Sequence, residues 1–426
     1  MSDTTIPITP GAGLASPGVK LALIAGLALG LLIPCFLVGE LIAEREERQE
    51  EVREEIGAAW GQPQLVLGPV LVLPYLHRGE GWERRSLAVQ PASLATEVAL
   101  APERRRRGLF EAVVYTADIS WRAQFGTAAL LPEGAIPLWP EAHLAAAVSD
   151  LRGATPRLRW GDTALEPAAD GVTRCGGFDI MRFPIGLAGL PAGAQEVSGG
   201  VALRGTSSLR ALPLGPRNRL RMTAPWATPS FIGRDLPVQS SVTAAGFEAE
   251  WAGGQPLVGL SMDEACLRIP QAATGAGVAL LEAVPTYRMV NRSAKYAAMF
   301  VALGFLTYLL IELLADIRIH IVQYGLLGAS LVLFPLLLLA MAEPLGFAPA
   351  YGLTAAMVLG QASLHTAAVT GRWGLGSVFA GVLVALFGFL YVVLSLESFS
   401  LLVGAVALFA ALSAVMLATR RVRWGA

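Results

Sequence analysis

Apolar residues are distributed along this chain in two different ways. From Lys20 to Ile42, and again from Tyr296 to Thr419, they form long runs; in between they come in short stretches broken by turn residues. A bilayer core of roughly 30 Å is crossed by about 20 apolar residues. Residues 20–42 therefore predict a first transmembrane helix, and residues 296–315, 321–342, 348–368, 377–395 and 399–419 predict a bundle of five more. Pro335 inside one span is tolerable, because neighbouring helices can satisfy the freed carbonyl. The first run is too long for a signal peptide and no small-x-small cleavage site follows it, so it reads as an uncleaved anchor.

The first span runs directly into "AEREERQEEVREEIGAAW", residues 43–60, which is rich in helix formers and has no Pro or Gly before Gly57. Val52, Ile56, Ala59 and Trp60 make a brief apolar stripe, but nothing apolar lies between Ala43 and Val52, so no heptad is sustained. Residues 43–61 predict a solvated helical stalk. From residue 62 to 295 the texture changes to that of strands. "VLGPVLVLPY" and "FEAVVYTADISW" are aliphatic, β-branched or aromatic, "GFEAEW" places Phe247, Ala249 and Trp251 on one face, and turn signals such as "LPEGA" and "LGPRN" recur. An antiparallel sandwich or barrel-like domain is expected there. The predicted fold class is thus an α-helical membrane protein with six transmembrane helices and a large mainly-β extracytoplasmic domain inserted between helices one and two.

Composition supports that class. Of 426 residues, 54% are hydrophobic and only 15% charged, whereas soluble domains are nearer a quarter charged. The net charge of -1 argues against nucleic acid as a partner. Arg318, Arg372, Arg420, Arg421 and Arg423 fall in short loops or the tail on one side, and Glu343 and Glu397 on the other. The positive-inside rule then puts residues 1–19, residues 420–426 and both termini in the cytoplasm, and residues 43–295 in the periplasm. The lipid bilayer is the one partner this reading requires; a periplasmic or inner-membrane protein partner is compatible with it, and the oligomeric state is not legible. Cys35 lies in the first span. Cys175 and Cys266 read as two buried thiols, with a disulfide as the alternative if their region is outside the cytosol.

Chemical signatures are few. There is no HExxH, CxxC pair, GxSxG, Walker loop or GxGxxG, and the four histidines are dispersed. No cofactor and no metal site is expected, and the chain reads as a non-enzyme. "ERRRRGLF", Glu103–Phe110, reads as an exposed turn entering a strand. Ionisable residues within membrane spans carry more weight. Glu312, Arg318, His320 and Gln323 gather near one leaflet, with Gln361 and His365 approaching the same level. They suit either a proton- or ligand-coupled site or interfacial capping and interhelical bonding. In the external region Asp150 and Arg152 of "VSDLRG" and Trp226 and Ser230 of "WATPS" are the candidates, with a turn or strand-end ion pair as the plainer reading of the first two.

Several segments together resemble one family. "GQPQLVLGPVLVLP", "RRGLFEAVVY", "VSDLRG", "WATPSFIGRDLP" with "GFEAEW", "NRSAKY" and "RIHIVQYGLLGASLVLFPLLLLAMAEPLGFAPAY" are similar, in order, to the bacterial CreD (cell envelope integrity) proteins. The pattern departs at Ile321, where the family has proline, and at Ala227-Thr228, where it has a Pro-His pair. The resemblance implies an inner-membrane protein with a periplasmic domain, induced through a two-component system and linked to envelope integrity and to tolerance of colicins and β-lactams. It implies no catalytic residues. The expected function is a non-catalytic envelope-integrity or stress-response role; an ion- or small-molecule-coupled transporter or sensor is the alternative.

Overall fold

The computed structural model describes residues 17–79, 81–108, 110–126, 131–169, 172–189, 193–253, 257–263, 266–270, 273–280, 286–395 and 400–419. Two helices open the chain, α1 (Pro17–Gly30) and α2 (Leu32–Trp60). Strands follow: β1 (Gln64–Arg78), β2 (Trp82–Val89), β3 (Ser93–Arg107), β4 (Phe110–Phe125), β5 (Ile136–Pro137) and β6 (His143–Val148). Next come β7 (Thr155–Trp160), β8 (Thr163–Leu165), β9 (Val172–Cys175), β10 (Phe178–Pro184), β11 (Gln195–Thr206) and β12 (Ser208–Ala211). The last strands are β13 (Arg217–Ala224), β14 (Pro229–Ile232), β15 (Gln239–Thr243), β16 (Gly246–Gly253), β17 (Ser261–Asp263), β18 (Cys266–Arg268) and β19 (Ala276–Leu280). Five helices end the chain: α3 (Thr286–Ala315), α4 (Ile321–Leu345), α5 (Phe347–Thr370), α6 (Trp373–Ser395) and α7 (Ser400–Thr419). They divide into a helical unit, Met1–Arg48 with Val284–Ala426, and a strand-rich unit, Gln49–Ala283.

Four helices of the described residues are long and apolar enough to cross a membrane: Gly18–Trp60, Tyr287–Ala315, Ile321–Leu345 and Trp373–Ser395. α1 and α2 are interrupted only at Leu31. Pro34 has no N–H to give the Gly30 carbonyl, while Leu31 and Cys35 keep their bonds to Leu27 and Leu31. α3 starts at Thr286, well before the apolar run that begins at Tyr296, so hydropathy marked the greasy part of the helix and missed its polar start. That start is used. Arg292 donates to the Val393 and Leu394 carbonyls at 3.1 and 3.4 Å, capping the end of α6, and Tyr287 donates to Glu343 at 3.0 Å. Gly328 on α4 lets helices approach: a Cβ there would lie 2.2 Å from Leu31 Cδ1 and 2.9 Å from Phe305 Cζ.

The strand-rich unit is two sheets over one apolar core. The larger runs β14-β19-β12-β1-β2-β17-β18, with β5 and β6 also on β1, β10 on β6 and β9 on β10. The smaller runs β15-β16-β13-β3-β4-β11-β7-β8. The pairing is antiparallel, as expected, except at two places, where β1 pairs β12 and β3 pairs β13 in parallel. Both are pairings between strands distant in sequence, which alternation alone does not orient. In β4, Ala117, Ile119, Trp121, Ala123 and Phe125 are buried and the residues between them exposed, the period-2 signature of a sheet with one covered face. Phe247, Ala249 and Trp251 of β16 share that core, as their alternation predicted.

Earlier in β4 the pattern changes, because Ala112 to Tyr115 are all buried. Val113 and Tyr115 face the main core; Ala112 and Val114 pack on Val52 and Ile56 of α2. The last turns of α2 are therefore docked on the sheet, not freely solvated as the sparse apolar stripe suggested. The arginine run at the end of β3 completes the clasp. Arg107 pairs with Glu55 at 2.7 Å, and the guanidiniums of Arg105 and Arg204 lie 4.0 and 4.5 Å from the Trp60 ring centroid. Cys175 and Cys266 form a disulfide with Cα atoms 5.8 Å apart, which overturns the reading of two thiols. Their sequence separation is 91, so only tertiary packing could bring them together.

Candidate functional site

In the helical unit the sequence placed Glu312, Arg318, His320 and Gln323 together. The structure gathers a different set round Glu312. Its carboxylate pairs with Lys20 of α1, and its other oxygen accepts from the Tyr324 hydroxyl at 3.0 Å. Lys20 also donates to the Ile319 carbonyl at 2.8 Å. Glu312 is 13% exposed and Lys20 28%, so the pair is largely withdrawn from solvent. Tyr324 is fully buried against Tyr308, whose hydroxyl meets Thr366 at 2.9 Å.

His320 stands apart from this network as the N-cap of α4, its Nδ1 accepting from the Val322 N–H at 3.3 Å. Arg318 is exposed and makes no ion pair among the described residues. Gln323 closes a turn by donating its backbone N–H to the His320 carbonyl. Gln361 accepts from Ser330 at 3.1 Å and joins α5 to α4. Lys20, on the only basic position before the first apolar run, was visible in the sequence but was separated from Glu312 by 292 residues. A lone charge opening an anchor helix reads as a topology signal, and nothing local identifies its partner.

In the strand-rich unit, Asp150 is 5% exposed and hydrogen-bonded. It accepts from the Gln62 N–H at 3.2 Å and the Arg152 N–H at 3.0 Å, and pairs with Arg152 Nε at 3.3 Å. Gln64 completes the knot, donating to the Asp150 and Arg204 carbonyls at 2.9 and 2.8 Å and accepting from the Asp150 N–H. The next residue, Leu151, donates its N–H to Asp179, which Arg174 also holds at 2.9 Å. Such a carboxylate, bonded to the backbone N–H groups on either side of it in the fold, fastens a turn. Trp226 sits instead under Arg104, 5.7 Å from its guanidinium, and Ser230 lies in β14 opposite Ala279. The groups that fasten Asp150 come from Gln62, Gln64 and Arg152, not from this second pair.

Tyr115 is another structural device. Its hydroxyl donates to the Ser208 carbonyl at 2.7 Å, and burial pushes the phenol well above its ordinary pKa. Gly205 makes room for it, since a Cβ there would lie 2.3 Å from the hydroxyl. Among the described residues no three His, Cys, Asp or Glu side chains are arranged to hold a metal ion. The arrangement thus offers fastened turns, a docked helix and a part-buried ion pair.

The chain matches the family described as "Inner membrane protein CreD" over residues 16–425. It is 27% identical over 425 residues to the Inner membrane protein CreD of Escherichia coli (strain K12), covering 95% of this chain and 93% of that protein. Part of it also superposes loosely on a solved M1 zinc metallopeptidase from Deinococcus radiodurans, with 10% identity, 49% of this chain, 53% of the other and a TM-score of 0.23. A mutant two-domain M1 zinc metallopeptidase bound to L-arginine gives 11% identity, 50% and 56% coverage and a TM-score of 0.21. Superpositions that loose bear on neither fold nor chemistry. The family match, by contrast, takes in the helical unit and the strand-rich unit together, and on that extent the chain belongs to the CreD family of inner membrane proteins.

Proposed function

We propose that this inner-membrane protein is non-catalytic and supports cell-envelope integrity through its strand-rich unit on the periplasmic side. The observation that carries the reading is the Cys175–Cys266 disulfide, because disulfides persist in oxidising compartments such as the periplasm. The bonds of Asp150 and Gln64 to nearby backbone groups support a scaffold role for this corner. In this reading six helices cross the membrane, α5 and α7 included, and both termini are cytoplasmic. The test is complementation of a deletion strain under envelope stress, with periplasmic reporter fusions after residues 61 and 253. Active reporters and rescue by the full chain are expected. Inactive reporters, or rescue by the helices alone, would refute the role of the strand-rich unit.

An ion- or small-molecule-coupled function is the second reading, favoured by a charged pair set among apolar helices. It requires Glu312 to change partner or protonation. Glu312→Gln expressed at the normal level would then abolish rescue; normal rescue would eliminate this reading.

A further inference from the structure

Strands β1, β2, β6, β10 and β17 line a cleft of about 840 Å³. The wall made by β17 is held in an unusual way. β17 meets β2 through one ladder position, Met262 opposite Ser86, and pairs with β18 over Ser261–Asp263. In the other direction β1 leads through β6 and β10 to β9. Among the described residues no ladder pairing joins β18 to β9; the Cys175–Cys266 disulfide spans that gap. It therefore closes a circuit of strands, and the short β17–β18 hairpin becomes a strap that carries Met262 and Asp263 into the cleft wall.

The lining is basic. Arg84, Arg85 and Arg182 outnumber the carboxylates of Glu141 and Asp263, and the His143 ring, its Nδ1 bonded to the Glu141 carbonyl at 3.1 Å, lies beside them. Both carboxylates already have cations, Arg84 for Glu141 and Arg268 for Asp263 at 2.6 Å. Arg85 pairs with Glu83 at 2.7 Å, both on the face of β2 opposite to Arg84. These pairs are exposed, Arg84 by 62% and Arg268 by 64%, and exposed pairs exchange readily for a better anion. Guanidinium forks match the oxygens of phosphate in pairs, and two of them suit a dianion better than a single carboxylate. The volume exceeds that of phosphate itself, and Pro74, Tyr75 and Met262 offer an apolar bed for the rest of a molecule.

We infer that this cleft binds a small phosphate-bearing molecule, with Arg84 and Arg182, on the same face of the sheet, as its anion contacts and the disulfide-held strap as its retaining wall. The test uses the full chain in neutral-lipid nanodiscs, titrated calorimetrically with inorganic phosphate, glycerol 3-phosphate and glucose 6-phosphate. Saturable binding of at least one probe, with Kd below about 1 mM, is expected. Arg84→Gln weakens it by about tenfold or more, and so does Arg182→Gln. Cys175→Ser with Cys266→Ser weakens it similarly while far-UV dichroism is retained. Preference for glycerol 3-phosphate assigns a lipid headgroup as the source; equal binding of inorganic phosphate assigns a free oxyanion. Absence of saturation up to about 10 mM for all three probes overturns the site, as does an unchanged Kd in the arginine variants. Unchanged affinity in the cysteine variant overturns the role of the strap.

Discussion

At the scale of single residues, the polar groups of Glu312, Asp150 and Tyr115 hold helices and backbone in place. The Lys20–Glu312 pair shows the energetic logic. Removing one partner strands a charge among apolar helices, whereas replacing both by apolar residues can be nearly neutral. Glu312→Ala is therefore expected to cost about 3–5 kcal/mol in detergent unfolding titrations, and Lys20→Met with Glu312→Leu to recover most of it. If the double variant is as unstable as the single, the pair is not what couples α1 to the bundle. Tyr115 gives a second residue-scale test. Tyr115→Phe leaves the Ser208 carbonyl short of its 2.7 Å partner and is expected to cost about 1–2 kcal/mol in thermal melts. The folded pKa of this phenol is raised, so its stabilising contribution is complete below the unfolded value of about 10 and lost as pH rises beyond it. The wild type is thus expected to lose stability more steeply than the Phe variant above about pH 10.

At the scale of elements, the end of α2 and the β3–β4 hairpin form one structural piece. Ala112 and Val114 would be exposed at the tip of a bare hairpin; with Val52 and Ile56 over them they are buried. Trp60 adds a 3.2 Å bond from its Nε1 to the Tyr115 carbonyl and two guanidiniums on its ring. Each cation–π contact is worth about 0.5–1 kcal/mol. Trp60→Ala is expected to raise hydrogen exchange across residues 49–60 while leaving β11 and β13 protected; unchanged exchange would refute the clasp. The sequence announces the helix and the hairpin separately, through helix formers after the anchor and alternation in β4. It does not announce their meeting. The clue was the loss of alternation at Ala112–Tyr115, where four successive apolar residues need cover on both faces.

At the scale of the whole molecule, the disulfide and the parallel pairings are what local patterns least reveal. Cys175 and Cys266 close a loop of 91 residues, for which the chain-entropy model gives about 4–5 kcal/mol. Cys175→Ser with Cys266→Ser is expected to lower the melting temperature of the strand-rich unit within the full chain, to the same extent as adding reductant to the wild type. A reductant-insensitive melt would show that the bond contributes nothing. Hydropathy was sufficient to locate the long apolar helices, although not the polar start of α3, because a bilayer asks length and apolarity of a segment that is to cross it. It was also sufficient to place strands between α2 and α3, because one-sided burial writes a period of two. It could not assemble Glu312 with Lys20, Asp150 with Gln64, or β1 with β12. Local patterns record only whether a residue is covered. Which distant segment covers it depends on how all the layers pack at once, and that was decided by the tertiary structure.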